Sequence, residues 1–166
     1  MKTIALSPIR FLIIALVCFS LSSCDVDYWW SRGKPPTSEK LLNLSQSKLD
    51  AIVSSTSRNE VKADFIKLQK LLADTHSGLK QGVAGDKLKS NLVALTEAMY
   101  SLEGRISWGS RAPYGELLGQ LRGFENIAQI NGTVDTNVFT LYTARVYFFL
   151  SDELAVPAPV GPLATY

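Results

Sequence analysis

Leu88, Leu92, Leu95, Met99 and Leu102 recur at alternating spacings of four and three residues. An α-helix puts such a series on one side, because 3.6 residues complete a turn. A strand would scatter it over both faces. A helix with one apolar stripe must bury it against something, and several such helices in one chain make a bundle. Leu42, Leu49, Ile52 and Val53 form one further stripe. Val61, Phe65, Leu68 and Leu72 form another, with Lys62, Lys67 and Lys70 outside it. Leu117, Leu118, Leu121, Phe124, Ile127 and Ala128 predict inward positions on a fourth helix over about 112–130. A fifth helix, to about Leu154, is apolar almost all round, through Val138, Phe139, Leu141, Tyr142, Val146, Tyr147, Phe148, Phe149 and Leu150. The expected fold class is all-α, a small antiparallel bundle of four to five helices. A helix apolar on every side is either central or covered by something else. Two readings follow for the fifth helix: core alone, or a face with Tyr147 and Phe148 that docks a partner.

Local signals punctuate these stripes. Thr37 or Ser38 can cap the first helix. Ser57-Arg58-Asn59-Glu60 fits a capping box for the second. The first two stripes are offset by about a quarter turn, which favours a break, while one long helix stays compatible. Gly78 and Gly82 are expected to end the second helix near Ser77. Asp86 is expected to cap a third helix running to about Ser107, and Asp135 the fifth. Gly115, Gly119 and Gly123 recur along the fourth helix, each costing ~1 kcal/mol relative to alanine. That recurrence predicts a smooth strip where another helix, of this chain or another, comes close.

The first 23 residues read differently. Lys2 and Arg10 give a positive start, Phe11 through Phe19 is an unbroken apolar run, and Ser20, Ser22 and Ser23 precede Cys24. This is the layout of a secretory signal. The run is shorter than the ~20 apolar residues of a membrane-spanning helix. Leu21-Ser22-Ser23-Cys24 resembles the lipobox of bacterial lipoproteins. That resemblance implies cleavage before Cys24, a diacylglycerol on its sulfur and an acyl chain such as palmitate on the new amino group. Each buried methylene contributes ~0.8 kcal/mol, so two or three chains hold the protein on a membrane. Asp25 resembles the enterobacterial signal that retains lipoproteins in the inner membrane; the outer membrane is the alternative. The competing reading of the segment is an ordinary signal peptide, or an uncleaved anchor, with a chance cysteine.

The expected organisation is a signal peptide over 1–23, a tether over 24–37, a helical domain over 38–155 and a proline-rich tail over 156–166. In the tether, Tyr28, Trp29 and Trp30 suit the headgroup zone of a membrane; alternatively the tryptophans pack on the domain. The tail, VPAPVGPLATY, carries three prolines and no charged side chain. It predicts an extended or polyproline-like segment, either free or lying in a groove.

Charge and chemistry exclude several functions. Without Lys2 and Arg10 the 17 basic residues become 15, equal to the 15 acidic ones, so nothing electrostatic points to nucleic acid. Cys18 leaves with the signal and Cys24 carries the lipid, so no thiol remains for a disulfide. His76 is the only histidine, and its position near a helix end suits a positive charge. One histidine without a thiol does not support a zinc site or a Ser-His-acid triad. No catalytic residue, metal or cofactor is assigned beyond the lipid on Cys24, and no enzymatic activity is expected. Trp108 to Gly115 (WGSRAPYG) is a turn with two aromatic rings. Trp108 and Tyr114 either touch a partner or membrane, or close the end of the bundle.

The layout is similar to that of pilotins and other accessory lipoproteins of secretion systems. It implies a membrane-anchored, periplasm-facing scaffold or accessory subunit that meets an envelope protein of secretion or assembly machinery. The alternative is a carrier that holds an apolar ligand or lipid between its helices.

Overall fold

Thr37 begins the helical part of the chain. Its backbone is extended, and its hydroxyl accepts a hydrogen bond from the Lys40 N–H at 3.3 Å, satisfying one of the unpaired amides of a first turn. The computed structural model describes residues 36–56 and 58–155, with only the backbone of Glu60. The signal segment, Cys24, Asp25, the tether up to residue 35 with Tyr28, Trp29 and Trp30, Ser57 and the tail 156–166 lie outside the described residues; Arg58, not Ser57, stands at the N-cap position of α2, without a side-chain capping bond.

Five α-helices stand among the described residues: α1 (Ser38–Ser55), α2 (Asn59–Lys80), α3 (Gly85–Glu103), α4 (Arg111–Asn131) and α5 (Thr136–Ala155). A 3-10 turn, Trp108–Ser110, precedes α4. The helices belong to one compact unit beginning at Thr37.

Side-chain bonds give the directions. Glu39 pairs with Lys80 at 3.1 Å and Asp50 accepts from Gln69 at 2.7 Å, so α1 runs antiparallel to α2. Asp64 pairs with Arg105 beyond the end of α3, and the Tyr114 hydroxyl donates to the Met99 carbonyl at 2.6 Å. Arg145 donates to Gln120 at 3.1 Å. Helices α2 to α5 therefore alternate up and down. α1 lies beside α5 and parallel to it, with Ser38 at 3.4 Å from Asn137 and the Thr56 hydroxyl donating to the Leu154 carbonyl at 3.2 Å.

α1 and α5 are the most intimately packed pair. Both carry small buried residues, Ser45 on α1 and Thr140, Thr143, Ala144 and Ser151 on α5. Each buried hydroxyl bonds a carbonyl of its own helix, for example Ser45 to Leu42 at 2.8 Å and Ser151 to Tyr147 at 2.7 Å. No donor is stranded by that close approach. α5 also packs against α2 and α4, and the Tyr142 hydroxyl reaches the Met99 sulfur of α3 at 3.2 Å. These neighbours account for the apolar residues on all sides of α5 except the one that carries Val138 and Leu141.

Several boundaries differ from the expectation. The break between α1 and α2 is not one of them: the stripe offset favours it, and Thr56 is extended there. Gly78 does not stop α2; it lies inside it, where a Cβ would stand 3.3 Å from the Val83 side chain returning across it. The turn comes at Gly82, in the left-handed region at φ 81°. Asp86 is not the cap of α3. Ala84 holds that position without a side-chain bond, and Asp86 sits in the first turn, where its charge still favours the helix dipole. α3 ends at Glu103, because Ile106 turns into the core. Asp135 does cap α5, accepting from the Val138 N–H at 2.9 Å.

Ile127, expected inward, is 43% exposed, and Val138 and Leu141 of the all-round apolar α5 are 51% and 41% exposed. They flank the seam of α4 and α5, which is loosely packed. The glycine strip is also open: a Cβ at Gly115, Gly119 or Gly123 would meet nothing within 4 Å. No described helix of this chain lies on it. Replacing Gly119 by alanine is accordingly expected to raise stability by about 0.5–1 kcal/mol, read as a higher urea midpoint. A lower midpoint would mean that something already presses on the strip.

Candidate functional site

The C-terminus of α5, the N-termini of α2 and α4 and the turn after α3 meet at one end of the bundle. Glu153 joins them. Its carboxylate is buried, and its Oε1 accepts from the Ser107 N–H at 2.7 Å. The Ser107 hydroxyl donates to Oε2 at 2.9 Å, and the Ser110 hydroxyl lies 3.0 Å from the Ser107 Oγ. The buried Arg58 places Nη1 3.1 Å from the Glu153 carbonyl and 3.4 Å from its Oε1. Burial alone pushes the Glu153 carboxyl up, but the Ser107 amide and hydroxyl, the Ser110 hydroxyl and Arg58 together outweigh it and hold the pKa below the usual value. Ser110 stands at the cap of α4 without bonding its amides, since its hydroxyl serves this network.

The network presents one side chain. Ile106 is buried, Ser107 is tied to Glu153, and the next residue, Trp108, is 83% exposed. The Arg111 guanidinium lies 4.9 Å from the Trp108 ring and steadies it by a cation–π contact. Tyr114 goes the other way. It is buried, its ring 5.4 Å from Phe149, and burial pushes its phenol pKa up, so the proton given to Met99 stays on. Tyr114 closes the bundle, and only Trp108 of the two is available to a partner.

Tyr147 is likewise removed from any exposed face. It is 1% exposed and donates to the Gln69 carbonyl at 3.1 Å. Its position on α5 faces α2, and that contact buries the ring. Phe148 is half-buried beneath Lys48, whose Nζ lies 5.6 Å from the ring.

His76 does not act as a charged helix end. Burial lowers its pKa; Glu39 raises it and Lys80 lowers it further. Its Nε2 lies 2.9 Å from the Thr140 hydroxyl. A histidine held neutral when folded is easier to protonate when unfolded. Its contribution to stability is therefore complete above 6.5 and lost as pH falls through the lower folded-state value. A proton titration of the imidazole should find a midpoint below 6.5, and His76→Gln should flatten this part of the pH–stability curve. A midpoint above 6.5 would give Glu39 the upper hand.

His76 stands 18 positions after Arg58, the residue just before α2, about 27 Å along the helix axis. Ser107 and Glu153 are thus far from the imidazole, and the set does not form a nucleophile–base pair. Among the described residues, no three His, Cys, Asp or Glu side chains gather as a metal site, and no helix is long and apolar enough to cross a membrane.

Neither Arg58 nor Glu153 stood out in the sequence. A carboxylate in the last turn of a helix opposes the dipole, and that oddity at Glu153 was the one available signal. Comparison with protein-family models, curated proteins and solved structures finds no match for this chain.

Proposed function

We propose that this chain is a lipid-anchored, periplasm-facing adaptor that presents Trp108 to a protein of the cell envelope. The observation that carries the reading is an exposed indole on a turn fixed from both sides, by the Glu153 network before it and by Arg111 after it. Tryptophan is enriched among the few residues that dominate binding energy, and a pre-ordered turn loses little entropy on docking. The lipobox at Leu21 to Cys24 supports the membrane tether, and Asp25 favours the inner membrane as its place. The role is binding rather than catalysis.

Crosslinking of the full chain in native membranes, followed by identification of the joined neighbour, tests this. Trp108→Ala should reduce recovery of the neighbour at least about tenfold, as loss of ~1.4 kcal/mol or more requires. Melting temperature and helicity should stay at the parent values. Undiminished recovery with Trp108→Ala would overturn the reading.

A further inference from the structure

The loose seam between α4 and α5 opens to the surface as a groove of about 410 Å³. Phe124 and Tyr142 form its floor, with ring centroids 5.3 Å apart. Ile127, Val138 and Leu141 wall it, and at one end Arg145 reaches Gln120.

We propose that residues 156–166 of the same chain fold back along α5 and fill this groove. The chemistry of that segment fits. Pro157, Pro159 and Pro162 favour the polyproline conformation, and Val160, Leu163 and Tyr166 are apolar or aromatic. Proline-rich segments dock on aromatic-lined grooves because their extended shape is already set and little entropy is lost. Their backbone carbonyls have no internal partners, and Gln120 and Arg145 bring N–H donors to the rim. An uncharged segment also suits a groove lined so largely by carbon.

The length fits as well. α5 ends at Ala155, ten residues past Arg145 and seventeen past Val138. Those separations are about 15 and 26 Å along the helix. If two residues reverse the chain, the remaining nine extend about 28 Å at ~3.1 Å each. The whole groove is within reach. Leu163, six residues after the reversal, arrives about 19 Å back along α5, level with Leu141 and Tyr142. Docking there covers Leu141 and Val138 and closes the seam.

The test uses the full chain in native membranes with Leu141→Cys and Leu163→Cys introduced together. Leu141 is 41% exposed, so its replacement leaves the buried core intact. Under mild oxidation a disulfide within one chain, assigned by peptide mass, should form at least about tenfold faster than in a control pairing Leu163→Cys with Lys89→Cys on α3. With Leu141→Cys alone, thiol labelling should accelerate severalfold when residues 156–166 are deleted. Equal rates for the two pairs would overturn the proposal. Disulfides that join two chains would overturn it too, and would assign the segment to a second copy. Unchanged labelling after deletion would show an empty groove.

Discussion

Glu153→Ala is expected to lower the unfolding free energy by about 3–5 kcal/mol, the range for breaking a buried ion pair at one partner. The loss comes less from the missing attraction than from what is left behind. Arg58 is buried beside that carboxylate, and the Ser107 amide has Oε1 as its acceptor. Truncation takes a carboxylate acceptor from the buried Arg58, whose Nη1 keeps the backbone carbonyl at position 153, takes the acceptor from the Ser107 amide, and opens a cavity at the junction of α2, α5 and the Trp108 turn. Glu153→Gln keeps the shape and one acceptor, so its cost should be smaller, about 1–3 kcal/mol. Acid adds an independent signature. The folded-state carboxyl is held below 4.5, so its contribution is fully present above that value and disappears as pH falls through the folded-state pKa. Urea unfolding followed by circular dichroism across this range should show the parent losing more stability than Glu153→Gln. Parallel pH curves for the two proteins would mean that the carboxylate is not anchored as described.

Tyr147→Ser should be nearly as damaging, at about 3–5 kcal/mol, the range for truncating a large buried aromatic ring. The ring is buried between α5 and α2, and its hydroxyl donates to the Gln69 carbonyl. Burial pushes the phenol pKa up, so the donor is retained at any ordinary pH. Truncation leaves a void that the rigid flanking helices fill only in part. Trp108→Ala, by contrast, removes an exposed ring and should alter stability by less than about 0.5 kcal/mol. Thermal melts of the two variants side by side separate a residue that builds the bundle from one that the bundle displays. A Tyr147→Ser protein that melts like the parent would place this ring outside the core.

The contrast between these two aromatic residues shows what a pattern can carry. The stripes of α2 and α3 were readable because each helix packs along one face, and Phe65, Leu68, Leu92 and Leu95 are all fully buried. α5 has no such contrast: apolar residues on every side leave nothing to separate Tyr147, which meets α2, from Val138 and Leu141, which meet solvent at the seam. Ile127 obeys the period of α4 yet lies outside, because the spacing of two helices is a tertiary property. Charge misleads in the same way. Glu153 and Arg58 look like solvated surface until the loop after α3 supplies Ser107. The glycine strip of α4 is visible as a pattern, but whether a helix covers it depends on the tertiary arrangement, in which no described helix does.

Everything proposed about the role of Trp108 rests on where the bundle is held, and the intact mass of the native chain extracted from membranes tests that most directly. The lipid-tethered form predicts a polypeptide beginning at Cys24, with a diacylglycerol on its sulfur and a fatty acyl group on its amino nitrogen. A chain that retains Met1 through Ser23, or one whose Cys24 sulfur is unmodified, would contradict it.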